Sequence, residues 1–205
     1  MLTRLTEIDG IAAPLPIENL DTDQIMPKQF LRIIDKAGLS EGLLYDLRFD
    51  AEGQPRSDCV LNQTAYRGAR ILIGGSNFGC GSSREHAVWG LQQFGFEAVI
   101  APSFAEIFYS NAMNNRLLLV QLDREAIDLL LQDAATYPAA RLHIDIEGQT
   151  VTSVSGRTFT FPLGARHKKM VSEGMDTIDL TLASLDTIEA FERTHFERHS
   201  WAAVL

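Results

Sequence analysis

Cysteine is scarce, with Cys59 and Cys80 the only two in 205 residues. That excludes a disulfide framework and fits a reducing compartment. It also excludes an iron–sulfur cluster ligated by this chain alone, which takes three or four protein ligands. No apolar run reaches the roughly 18 residues of a membrane-spanning helix. The opening MLTRLTEIDG lacks the apolar core of a secretory leader. A cytoplasmic protein without membrane contact is expected. Positive charge is short as well: 18 Lys and Arg against 27 Asp and Glu leave a net charge of −9. That balance speaks against a nucleic-acid partner, and any anionic substrate would need local cations to receive it. There are no internal repeats, low-complexity tracts or Ser/Gly linkers, so the chain reads as one domain spanning 1–205.

What is present is an alternation. ARILIGG, EAVIAP and LLLVQL are short apolar runs. Each is followed by a helical pattern: SREHAVWGLQQF, SFAEIFYSNAMNN and DREAIDLLLQDAA. Short buried strands between helices argue for parallel βαβ units. RLHIDIEG, QTVTSV and RTFTFP alternate like antiparallel strands, with Ser155-Gly156 as a tight turn. GARHKKMVSEGM and DTIEAFERTHFERH read as closing helices, and FDAEGQPRSD (49–58) as a loop. The first third, punctuated by Pro14, Pro16 and Pro27, is expected to be irregular. The class is α/β, with a mixed, mostly parallel sheet, flanking helices and a small antiparallel part.

One stretch, GGSNFGCGSSREHAVWG (74–90), concentrates five glycines beside Ser82, Ser83, Arg84, Glu85 and His86. Two uses are open. Ser82 to Glu85 fits a capping box, with Ser82 as the N-cap of the following helix. Alternatively, a strand, a glycine loop and a helix start gather free backbone N–H groups where an anion binds well. Arg84 near that positive end is disfavoured by the helix dipole and makes sense if an anion arrives, its planar fork suiting a carboxylate or phosphate. The stretch is no P-loop, dinucleotide fingerprint or hydrolase elbow. A Ser82–His86 nucleophilic pair is conceivable, but His86 beside Trp89 reads better as packing. Cys80 is either a reactive thiol or a small residue allowing tight backbone.

NFGCGSSREHA (77–87) closely resembles the signature of the 3-isopropylmalate dehydratase small-subunit family, the separately encoded swivelling domain of the aconitase superfamily. NLDTDQIMPKQFL (19–31), VIAPSFAEIFYSNAMNN (99–115) and DTIDLTL (176–182) resemble further motifs of that family, in the right order. The resemblance implies a β/β/α swivelling domain that forms half of a heterodimeric enzyme. A large partner subunit would hold a [4Fe–4S] cluster, this chain binding no cofactor or metal. The implied reaction moves the hydroxyl of 2-isopropylmalate, a small dicarboxylate, by dehydration and rehydration in leucine biosynthesis. Ser82 would be the base, Ser83 would hydrogen-bond the substrate or the developing charge, and Arg84 would clamp a carboxylate beside Gly81. Asp21, Thr22 and Asp23 would position the loop or contact the site, an Asx-type turn being the plainer use of DTD. Lys28 would be a second carboxylate partner.

The sequence departs from the family pattern at Ser76, Val88 and Leu119, where Glu, Pro and Pro are usual. It departs again across GLSEGLLYDLR (38–48), the region implied to read the substrate side chain, with Leu39, Ser40 and Leu47 in place of the more typical residues. Related small subunits act on other substituted malates or citraconate, so such a hydro-lyase is the alternative. A non-catalytic anion-binding module is a further one, and an RNA-binding role fits the acidic charge poorly.

Overall fold

A run such as Ile71–Gly74 or Ala98–Ala101, apolar at every position, has no polar face to give to water and must be covered on both sides. The computed structural model, which describes residues 3–31 and 38–202, arranges these runs accordingly. In chain order the elements are β1 (Glu7–Leu15), α1 (Thr22–Ile25), α2 (Leu39–Gly42), α3 (Tyr45–Arg48), β2 (Ile71–Gly74), α4 (Glu85–Phe94), β3 (Ala98–Ala101) and α5 (Glu106–Asn114). They continue with β4 (Leu118–Gln121), α6 (Arg124–Thr136), β5 (Arg141–Asp145), β6 (Thr150–Thr152), β7 (Thr158–Thr160), α7 (Ala165–Glu173), α8 (Thr177–Leu182) and α9 (Leu185–Arg198).

One seven-stranded sheet has the order β4-β3-β2-β1-β5-β6-β7. Strands β1 to β4 pair in parallel, and β5 to β7 extend the sheet antiparallel from the other edge of β1. The α/β class and the mixed sheet match the sequence reading. The antiparallel strands lie where their alternation placed them, and the β6–β7 turn closes at Gly156 in the left-handed region, φ 79°. The irregular first third is a correction: residues 7–15 form the central strand. Asp9, Gly10 and Pro14 break the pattern of apolar residues there. Pairing on both edges nonetheless forms: Ala12–Leu15 against β2, and Glu7–Ile11 against β5. Pro14 is tolerated because a strand whose two halves pair with different neighbours leaves ladder positions that need no donor.

The core runs under both halves of the sheet, with Ile8, Leu72, Val99, Phe78 and Phe96 at 0–1% exposure. Helices α4 and α5 follow β2 and β3 and pack on one another, while α6 lies across β1 and β2. The C-terminal ends of β1 and β2 therefore open side by side. The chain that leaves each of them, residues 16–22 and 75–84, builds the site.

Candidate active site

Gly74, Gly75 and Gly79 are required by close approach, and Gly81 by its positive φ. A Cβ on Gly75 would lie 2.4 Å from the Ile17 carbonyl oxygen. One on Gly79, whose φ is +76°, would lie 2.2 Å from Cγ of Phe108. Without side chains here, the two segments zip together. The Asn19 N–H donates to the Ser76 carbonyl (2.9 Å), the Gly79 N–H to the Leu20 carbonyl (2.8 Å) and the Thr22 N–H to the Cys80 carbonyl (2.8 Å). From the β3 side, Ser103 accepts the Asn77 N–H through its hydroxyl (2.8 Å) and the Phe78 N–H through its carbonyl (3.0 Å). The loop is thus held on both flanks up to Cys80. Beyond it Gly81, Ser82 and Ser83 are exposed. Among the described residues their three N–H groups donate to no acceptor of the chain.

The capping-box expectation fails. Helix α4 begins at Glu85, its N-cap is Arg84, and no side chain caps it. The cause is local: Gly81 turns through φ +91°, and the buried Thr22 donates its hydroxyl to the Ser82 carbonyl at 2.9 Å, holding 82 out of the helix. Among the described residues the Ser82 hydroxyl makes no hydrogen bond. Arg84, extended at φ −120° and ψ 107°, places its guanidinium on the carboxylate of Asp23, with only 15% of the arginine side chain exposed. The cation at the positive helix end does have its anion, and in the free chain that anion is Asp23. Asp21 spends its carboxylate locally, capping α1 through the Gln24 N–H (2.7 Å). The DTD triplet therefore divides its labour: Asp21 caps, Thr22 ties the loop and Asp23 holds Arg84.

The other expected residues are not gathered at this point. Lys28 is exposed, and among the described residues its side chain makes no hydrogen bond or ion pair. Leu39 is fully buried, its N–H donating to Gln93 of α4 at 2.9 Å. Ser40 is half-buried and offers its carbonyl to Arg48 at 3.2 Å. Leu47 lines a cavity of about 280 Å³ with Pro14–Ile17 and Cys59, next to the segment that Gly75 touches. The Cys80 thiol donates to the Asn19 carbonyl (3.3 Å), and burial, reinforced by the Asp21 charge, pushes its pKa up. That shift disfavours the thiolate, so the arrangement supports the packing use of Cys80 over the reactive one. The His86 ring lies against that of Trp89, 4.9 Å between centroids, as packing would have it.

Two supports escaped the sequence reading. The Ser76 N–H donates to the Glu18 carboxylate at 2.8 Å, and Arg124 binds its other oxygen at 2.5 Å. A hydrogen bond from the Ser76 side chain first, then those from Arg124 and the Ser76 N–H, outweigh burial and lower the Glu18 pKa from its ordinary value. The second is Asn115. Its Nδ2 donates to Glu85 at 2.5 Å, and its Oδ1 accepts the Trp89 indole N–H at 2.9 Å, so the start of an uncapped helix is clamped to the end of α5. No spacing rule could have found either, because the partners lie 58 and 30 residues apart.

Residues 2–125 match the family model described as the aconitase C-terminal domain, and residues 128–165 match the model LeuD_N. The chain is 57% identical over 200 residues to 3-isopropylmalate dehydratase small subunit 1 of Chromobacterium violaceum, covering 98% of this chain and 94% of that one. It is 46% identical over 200 residues to the 3-isopropylmalate dehydratase small subunit of Roseobacter denitrificans, covering 98% and 100%. Among solved structures it resembles 3-isopropylmalate dehydratase of Methanocaldococcus jannaschii, with a TM-score of 0.65, 26% identity and coverage of 90% of this chain and 99% of that one. A loop built on two glycine contacts, an exposed serine pair and a guarded arginine thus stands on an aconitase-type scaffold, and the chain belongs to the family of 3-isopropylmalate dehydratase small subunits.

Proposed function

We propose that this chain is the small subunit of a 3-isopropylmalate dehydratase of leucine biosynthesis, active only when docked on a large subunit. The observation that carries the reading is the exposed Gly81-Ser82-Ser83 apex, with free amides beside the Asp23-held Arg84. Such an apex is half of a pocket. Chemistry at it needs a second surface to exclude water and strengthen its charges.

The chain's own part is the proton and carboxylate side of the reaction. Ser82 takes the proton from the carbon beside a carboxylate and returns it on rehydration. The free amides of the loop, just before the start of α4, stabilise the negative charge its oxygen carries as an alkoxide before it takes the proton and after it gives it back. Ser83 hydrogen-bonds the substrate. Arg84 exchanges Asp23 for a substrate carboxylate through its bidentate fork. Lys28 is the exposed cation on the preceding motif available to the second carboxylate. Leu39 and Ser40 act on specificity through the packing of α2 on α4 rather than by direct touch. The donor set here does not fit an iron–sulfur cluster: there are two cysteines, and no metal-holding group of three His, Cys, Asp or Glu exists among the described residues. The cluster that this reading gives the enzyme is therefore the partner's. The test is reconstitution with the large subunit of a relative and an assay on 2-isopropylmalate beside citraconate and 2-methylmalate. Turnover of 2-isopropylmalate with the highest kcat/KM is expected, and preference for another diacid overturns the substrate assignment.

A further inference from the structure

Arg84 stands at the very start of α4, and nothing of the usual kind holds that start in place. No side chain caps it, and the Arg84 carbonyl receives the Ala87 N–H, three residues on rather than four, at 3.3 Å. An uncapped first turn frays. A frayed turn would let Arg84 swing away from Asp23, and from any carboxylate that replaces it. What holds the turn is the carboxylate of Glu85, the first helical residue, which accepts from the Asn115 amide at 2.5 Å.

Asn115 is fixed for that contact. Its Nδ2 also donates to the Asn111 carbonyl at 2.9 Å, and its Oδ1 accepts the Trp89 indole N–H at 2.9 Å. The amide therefore has one workable orientation. Turned over, its oxygen would face two acceptors and its nitrogen the indole donor. Its backbone N–H donates to the Asn111 and Ala112 carbonyls, which anchors it in the end of α5, and its own carbonyl accepts from Gln92 at 2.5 Å. Glu85, Trp89 and Gln92 follow one another at spacings of four and three, so Asn115 grips one face of α4 along two turns. The apex is thus held at both ends. Thr22 ties Ser82 on one side, and Asn115 ties Glu85 on the other. We infer that Asn115 is a positioning residue for Arg84, acting through Glu85 on the affinity for the diacid. The inference rests on the reaction assigned above and adds to it a residue that does not touch the substrate.

The test is steady-state kinetics of the chain paired with a relative's large subunit, on whichever malate the wild type turns over best. Asn115→Ala is expected to raise KM about tenfold, as loss of a hydrogen bond to a charged group would, with kcat nearly unchanged. A general loosening of the fold would instead lower kcat through the fraction of active protein and leave KM alone. Glu85→Ala reaches the same bond from the other side and is expected to raise KM equally, the double variant no further than either. Glu85→Gln, which keeps an acceptor for the amide, is expected to recover most of the affinity. Gln92→Met cuts a neighbouring tie between the same two helices without touching Glu85, and KM should not move. An unchanged KM in Asn115→Ala overturns the proposal. So does an additive double variant, or a rise in Gln92→Met as large as that in Asn115→Ala. A wild-type pair that turns over no malate overturns the assigned reaction, and this inference with it, before any variant is read.

Discussion

Arg84 already holds a carboxylate before any substrate arrives, which makes Asp23 its competitor. Asp23→Asn keeps the shape and removes the charge. It is expected to lower the KM for the diacid about tenfold without raising kcat, in line with the ~1.5–3 kcal/mol of a hydrogen bond to a charged group; steady-state kinetics of the reconstituted pair check it. Arg84→Lys keeps the charge but loses the fork, and kcat/KM should fall by a similar ~2–3 kcal/mol on every diacid tested. Ser82 separates cleanly because it caps nothing. Ser82→Ala should change the unfolding free energy measured in urea by less than ~0.5 kcal/mol while kcat drops roughly 10²–10⁴-fold. The candidate site was legible as a locality because Ser82, Ser83 and Arg84 sit in one string and Asp21, Thr22 and Asp23 in a second short motif. Their division of labour was not. Ser82 and Glu85 have the spacing of a cap, and only Thr22, 60 residues away, draws Ser82 out of the helix.

Elements were read best where one pattern ran unbroken. The strands Ile71–Gly74, Ala98–Ala101 and Leu118–Gln121 and the helices after them lie where their apolar periods put them. β1 was missed because Asp9, Gly10 and Pro14 interrupt its pattern, and its partners are far away in sequence. Two glycines test the claim that close approach, not turning alone, shapes the site loop. Gly79 and Gly156 have nearly the same φ, +76° and +79°, but a Cβ meets Phe108 at 2.2 Å in the first case and nothing within 4 Å in the second. Gly156→Ala should cost ~1 kcal/mol for the left-handed backbone, and Gly79→Ala ~2–4 kcal/mol once overpacking is added. Denaturant unfolding of both variants measures the difference. Elsewhere, α6 is pinned to the β6–β7 hairpin by the buried Asp133, which accepts from Ser155 at 2.6 Å and from Arg157 at 3.1 Å. Burial pushes its carboxyl up, but the bonds from Ser155 and Ser153 and the charge of Arg157 outweigh that and hold it below the ordinary 3.8. Its contribution is therefore complete above the unfolded value and fades as pH falls through the lower folded one. Asp133→Ala should cost ~1–3 kcal/mol near neutrality, a gap to the wild type that narrows below about pH 4 in urea titrations taken at stepped pH.

At the scale of the whole molecule, the exposed apex predicts silence. The purified chain should fold cooperatively yet show no alkene absorbance from any malate until the large subunit is added. Robust turnover alone would remove the need for a second surface. The tie is charge-dependent: the Glu18 carboxyl that joins Ser76 to Arg124 contributes above its unfolded value and loses its charge as pH drops through its lowered pKa, so the tie is lost only in acid. The overall class was legible from local alternation, whereas the meeting of 16–22 with 75–84 was not, since it depends on a strand that local reading passes over. That strand sets a timetable. Residues 7–15 leave the ribosome before either of their partners: one edge waits for Ile71–Gly74 and the other for Arg141–Asp145. The site loop cannot close until β1 is in place, so the apex that carries Ser82 is among the last features to mature. The newborn segment has neither edge paired until residue 74 is made and one edge open until residue 145, an exposed strand that a chaperone would need to shelter.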